Sequence, residues 1–287
     1  MKDFCFFVTF VSLLALAGCA APAEGNLIAV TIEPQRYFAE KIAGDKFTVH
    51  TVVPAGQSPE MYDPAPQQMV RIGRSRAYLQ IGHIGFEQAW MQHIRDNNPG
   101  MQVFDLSEGF ALITEHEEEE GLHSHHPGGV DPHIWSCIGG ARAIAENTLK
   151  AFIALDKDNE PYYRENYAKL RAEIDETEAV IRQKLSPLAN RAFIIYHPSL
   201  TYFANEFDLL QLCIETDGKE PSPAQLKELV DMAREHHANV AFVQQEFDRK
   251  NAERMAEETG CRLVTINPQN YQWSKELIAI ANALANE

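Results

Sequence analysis

Short apolar runs bounded by turn residues alternate with stretches of helical periodicity along most of this chain. The runs at 27–32 (LIAVTI), 47–53 (FTVHTVV), 77–81 (AYLQI) and 102–105 (QVFD) predict strands. Helical spacing at 36–42, 65–73 and 86–97 falls between or after them, so the order strand, helix, strand predicts a parallel sheet. A second set follows the same grammar, with strands at 191–196, 209–215, 239–243 and 262–266 and helices at 200–206, 223–237, 249–259 and 274–285. Each half is long enough to bury its own core.

Between the halves, residues 159–185 contain no glycine and no proline after Pro161. Tyr163, Tyr167, Leu170, Ile174, Thr177 and Ile181 recur at three- and four-residue steps, which predicts one long amphipathic helix stopped at Ser186-Pro187. The expected fold class is α/β: two lobes, each a parallel β-sheet flanked by helices, joined by this single helix. The corresponding division is 19–155 for the first lobe, 156–187 for the linking helix and 188–287 for the second lobe. An unbroken helix resists wide hinge opening where a flexible linker would permit it. A ligand is expected in the cleft between the carboxyl ends of the two sheets.

The amino terminus reads differently. One basic residue, Lys2, precedes an apolar run from Phe4 to Leu16 that ends in Leu16-Ala17-Gly18-Cys19. The run is short of the roughly 20 residues needed to span a bilayer, and its small-residue finish predicts a cleaved signal over 1–18 with lipid on Cys19. A plain cleaved signal is the alternative. Of the five cysteines, Cys137, Cys213 and Cys261 remain in the body; they form no Cys-x-x-Cys pair and read as buried thiols, with one disulfide as the alternative. A formal charge of -16 argues against nucleic acid as a partner and favours a soluble body that attracts cations.

The strongest chemical signal is the stretch 116–133, HEEEEGLHSHHPGGVDPH, which holds five of the chain's 11 histidines and four consecutive glutamates. It is too polar and too rich in Gly and Pro for a strand or a core helix, and its imidazoles and carboxylates suit zinc better than calcium or magnesium. His116, His123, His125 and His126 in the loop 116–130 are expected to act as an auxiliary metal collector; a solvated acidic loop is the bland alternative. His236 and His237, at the end of a predicted helix, read as surface residues, and His83, in a strand-to-helix loop, reads as a neighbour of the cleft. Trp90 and Trp135 read as packing residues.

Several motifs together resemble the zinc- and manganese-binding lipoproteins of metal-uptake ABC transporters, the TroA-like or cluster A-I family. They are Pro54-Ala55-Gly56 leading to Pro59-Glu60-Met61-Tyr62-Asp63-Pro64, then Asp131-Pro132-His133-Ile134-Trp135, the long helix, His197-Pro198-Ser199-Leu200, Glu220-Pro221-Ser222-Pro223 and Phe242-Val243-Gln244-Gln245-Glu246-Phe247. The acidic histidine-rich loop resembles the zinc-type branch. The resemblance implies His133 and His197 as metal ligands. Where that family usually has a histidine, this chain has Glu60, so a two-His, one-carboxylate set is expected, with water as the simplest fourth ligand because the loop 267–273 carries no acid. Glu246 is expected to orient a ligand from the same rim. By resemblance the protein is a periplasmic or otherwise extracytoplasmic lipoprotein, a monomer and not an enzyme, which delivers Zn2+ to a membrane permease. Mn2+ or iron is the alternative cargo, and a metal-containing adhesin the alternative role. No His-Glu-x-x-His helix favours a zinc hydrolase.

Overall fold

The computed structural model describes residues 24–114, 129–215 and 221–285. The proposed signal and Cys19, and His116, His123, His125 and His126, lie outside the described residues.

The first sheet comprises β1 (Leu27–Val30), β2 (Thr48–Thr51), β3 (Ala77–Gln80) and β4 (Gln102–Asp105), all parallel, in the order β2-β1-β3-β4. The second repeats it with β5 (Ala192–Ile195), β6 (Leu210–Cys213), β7 (Val240–Gln244) and β8 (Arg262–Ile266) in the order β6-β5-β7-β8. Central strands such as β5, AFII, are buried at every residue, as expected of a parallel sheet covered on both faces. Strand-like pairing runs past the narrower strand limits: Val52 and Val53 donate to Val30 and Thr31, and Ile214 and Glu215 to Ile195 and Tyr196.

Helices α1 (Glu33–Ala43), α2 (Pro66–Gly73) and α3 (Gly85–Asn97) belong to the first half. A 3-10 turn at Ile134–Ser136 then leads to α4 (Ile138–Leu155). The α-helix begins at Ile138 because Cys137 is its N-cap, its sulfur accepting from Gly140 N. Only glycine fits at 140, since a Cβ there would lie 1.8 Å from Ile134 O. The second half carries α6 (Thr201–Glu206), α7 (Pro223–Glu235), α8 (Arg249–Thr259) and α9 (Trp273–Ala285).

The linking helix α5 spans Glu160–Leu185, 26 residues, with Pro161 in its first turn. Of the stripe expected from periodicity, Tyr163, Leu170, Ile174, Thr177 and Ile181 are buried and Tyr167 lies at the margin, and Leu185 extends it. Full burial of each large aliphatic there contributes about 1.5–3 kcal/mol. The helix packs against α1, α4 and α9. One apolar core therefore runs from Phe38 and Phe86 through Ile174 to Phe193 and Trp273, and a smaller one covers the outer face of the second sheet. All three described cysteines are free thiols, Cys137 and Cys261 buried and Cys213 partly so.

Candidate metal centre

The two sheets present their carboxyl ends to a common pocket lined by Ser58, Glu60, His133, His197, Glu246 and Gln269, with Trp135 and Phe247 among its walls. Glu60 lies in the loop after β2, His133 immediately before the 3-10 turn, and His197 two residues after β5. In the second sheet the connection after β5 runs to β6 on one side and the connection after β7 runs to β8 on the other, and the crevice between β5 and β7 is where a parallel α/β sheet binds ligands. His197 and Glu246 follow those two strands. Gln244, the last residue of β7, closes the gap below: its Nε2 donates to His197 O at 2.6 Å and Ser199 Oγ at 2.8 Å, and its Oε1 accepts from His197 N.

The three expected residues come together. One donor atom from each of Glu60, His133 and His197 lies within 4.8 Å of the others, and this is the metal-competent cluster found among the described residues. Glu60 Oε1 stands 3.2 Å from His197 Nε2 and 3.6 Å from His133 Nε2, and the two rings meet edge-on with centroids 5.2 Å apart. Both imidazoles are held from behind. Asp131 Oδ1 contacts His133 Nδ1 at 2.8 Å and Glu215 Oε2 contacts His197 Nδ1 at 2.8 Å, so each ring turns its Nε2 toward Glu60. A carboxylate on the far nitrogen fixes the tautomer and makes the near nitrogen a better ligand. Phe247 stacks on His197 and Trp135 tilts against His133, which limits water.

The electrostatics follow from this crowding. Burial pulls His197 toward neutrality, but the Glu60 and Glu215 carboxylates outweigh it and raise its pKa to about 10. For His133 burial wins over Asp131, and its pKa is lowered. Burial also raises the Glu246 carboxyl, which accepts from Gln269 Nε2 at 3.2 Å on the pocket rim.

The His133 segment is tied to the second half of the chain. Tyr202 OH donates to Asp131 O at 2.8 Å, Trp135 Nε1 to Pro268 O at 3.1 Å and Trp273 Nε1 to Trp135 O at 2.6 Å. Glu206 accepts from the first amide of α4 at 2.6 Å, where a helix amino terminus favours negative charge. His133 and His197 thus share a hydrogen-bonded surround that includes the second half of the chain, and Glu60 faces them from the loop after β2.

Asp131 and Glu215 are the residues that sequence reasoning passed over. Asp131 carried a signal, since Asp-x-His spacing lets a carboxylate reach Nδ1 across one turn; Glu215 carried none, being 18 residues from His197. His83 does not line the pocket, and His236 and His237 are exposed. Asn270 turns away to Glu276. Asp131→Asn and Glu215→Gln are each expected to weaken metal binding roughly 10–100-fold. Titration of folded variants against a chelating indicator checks this, and unchanged affinity would deny the two carboxylates their orienting role.

With the site in view, comparison with known proteins is decisive. The model of the ZnuA family, zinc-uptake complex component A periplasmic, matches residues 28–276. This chain belongs to that family. The crystal structure of ZnuA superposes with a TM-score of 0.83 at 36% identity, covering 91% of this chain and 98% of that one. The high-affinity zinc uptake system protein ZnuA of Bacillus subtilis (strain 168) is 27% identical over 281 residues, 91% of this chain and 86% of that protein. The manganese ABC transporter substrate-binding lipoprotein PsaA of Streptococcus anginosus is 25% identical over 269 residues, 88% of this chain and 84% of its own length.

Proposed function

We propose that this protein captures one Zn2+ between its lobes and hands it to the permease of an ABC-type uptake transporter, as an extracytoplasmic binding component and not an enzyme. Glu60, His133 and His197 are the proposed ligands, with water in a fourth position. The observation that carries the reading is the convergence of two buried imidazoles and one carboxylate, each imidazole backed by a carboxylate of its own. Family membership and the named zinc-uptake relatives support it. Elemental analysis of protein purified without added metal, then competition between zinc and manganese, tests it; protein that binds neither ion tightly would refute it. Manganese is the second reading, favoured by the oxygen ligand Glu60 and by relatives named for manganese. Because His133 and His197 share one surround, a small tilt of the lobes that withdraws Glu60 would open the site, a motion an unbroken α5 permits.

Binding should displace a proton. Metal needs the neutral imidazole, yet with the site metal-free His197 is protonated at neutral pH, flanked by Glu60 and Glu215 with Glu246 nearby. His133, whose pKa burial lowers, contributes less there. Affinity should therefore rise with pH across the neutral range, by about ten-fold per pH unit, and level off above the pKa of His197. Calorimetry in buffers of different ionisation enthalpy checks it; zero proton release near neutrality would sink it.

Anchorage is proposed at Cys19. Among the described residues no helix is long and apolar enough to cross a membrane. Cys19→Ser is expected to shift the protein from the membrane to the soluble fraction. A variant whose signal is verifiably cleaved but which stays with the membrane would overturn the lipid anchor.

A further inference from the structure

In the first sheet, too, the connections after neighbouring strands diverge, from β1 to β2 on one side and from β3 to β4 on the other, so a ligand crevice is expected between β1 and β3. The protein fills that crevice with its own groups. Glu87, 2% exposed, sits there on the first turn of α3. Its carboxylate accepts from the Thr31 hydroxyl, from Ile81 N at 3.1 Å and from Gly82 N at 2.6 Å, and Thr31 in turn pairs with Tyr78 OH at 2.9 Å. The turn that leaves β3 is thereby locked to the ends of β1 and β3, with Gly82 in the left-handed region at φ 95°.

Gly85, the first residue of α3, is where this locked turn meets the metal loop. Phe86 N donates to Pro59 O at 2.9 Å. A Cβ on Gly85 would lie 2.3 Å from Glu60 O and 2.8 Å from Glu60 Cα. Both are backbone atoms, so no side-chain rotation could relieve the clash; the Glu60 loop itself would have to move. His133 and His197, tied to the other half, would stay behind.

Resting on the reading of Glu60 as a ligand, we infer that Gly85, braced by the buried Glu87 carboxylate, is the positioning element that sets Glu60 against the two imidazoles. Neither residue lines the pocket. Their effect is spent wholly through where the Glu60 backbone stands.

A double-mutant cycle in the full chain tests this. Gly85→Ala should weaken Zn2+ binding by about ten-fold or more while leaving the circular dichroism spectrum native. In a Glu60→Ala background the same change should cost less than about two-fold, because the group it displaces is gone. Glu87→Gln, which sets an amide NH2 against the Gly82 N–H, should behave alike. Gly73→Ala, whose Cβ would meet nothing within 4 Å, is the control and should leave affinity unaltered. Wild-type affinity in folded Gly85→Ala, or losses that add to that of Glu60→Ala, would overturn the inference while leaving Glu60 a ligand. Unchanged affinity in Glu60→Ala itself would instead remove the ligand assignment beneath it. Failure of both Gly85→Ala and Glu87→Gln to fold would show that the turn serves the fold, and would also overturn the positioning role.

Discussion

Changing His197 to glutamine is expected to abolish tight zinc binding, with a loss exceeding the roughly 10–100-fold typical of groups that only orient a ligand. Glutamine keeps a hydrogen-bonding group against Glu215 but supplies at best an amide oxygen to zinc, a poor exchange for imidazole nitrogen. Alanine would be a less clean test. It would leave Glu215 and Glu60 facing an empty buried space, and breaking a buried charge pair destabilises by about 3–5 kcal/mol, which confuses binding with folding. His133→Gln should match His197→Gln, because the two Nε2 atoms stand in nearly equivalent relation to Glu60, at 3.6 and 3.2 Å. The informative control is His236→Ala: that residue is exposed at the end of α7 and should alter affinity by no more than about two-fold. Chelator competition reads all three. If either glutamine variant bound zinc like the parent, the proposed ligand set would be wrong.

The fold was legible because the forces that set it are local and periodic. A short turn-bounded run such as LIAV favours a covered strand, and the stripe from Tyr163 to Ile181 favours a helix with one apolar face, so both kinds of element appear at or within a few residues of their expected limits. The site was half legible. His133 and Glu60 stand in recognisable turn sequences, and His197 follows an apolar strand. What orients them was hidden: Glu215 reads as the tail of a strand, and only the parallel pairing of β5 with β6 brings it beside His197. Glu87 reads as an ordinary first-turn acid on a helix, yet burial places it in the crevice at the head of the first sheet. Pattern reports which face a residue takes, not which residue of another strand it meets. The division of the proposed ligands was likewise invisible, since the His133 segment precedes α5 in sequence but is hydrogen-bonded through Asp131 and Trp135 to the half that follows it.

The balance between zinc and manganese should turn on Glu60. Zinc gains most from nitrogen and sulfur donors, whereas manganese accepts oxygen donors at little loss, so an N2O set is harder than N3. Glu60→His is therefore expected to tighten zinc, weaken manganese and move the affinity ratio by about ten-fold or more, while Glu60→Ala should weaken both ions. The same carboxylate is the first of the groups that hold the proton on His197 against burial. Its removal should lower the pKa of His197, so in Glu60→Ala zinc affinity should level off at a lower pH than in the parent, whereas in Glu60→His the new imidazole brings a proton of its own to displace. That conjunction separates a ligand from a bystander. A loop residue outside the coordination sphere could change the charge around His197, and hence the proton count, but it would leave the ratio of zinc to manganese where it was. The measurement is paired competition titrations of the two ions at two pH values. An unaltered ratio in Glu60→His, with zinc affinity in Glu60→Ala equal to that of the parent, would assign Glu60 to the electrostatic surround and leave water or a rim group such as Glu246 to complete the site.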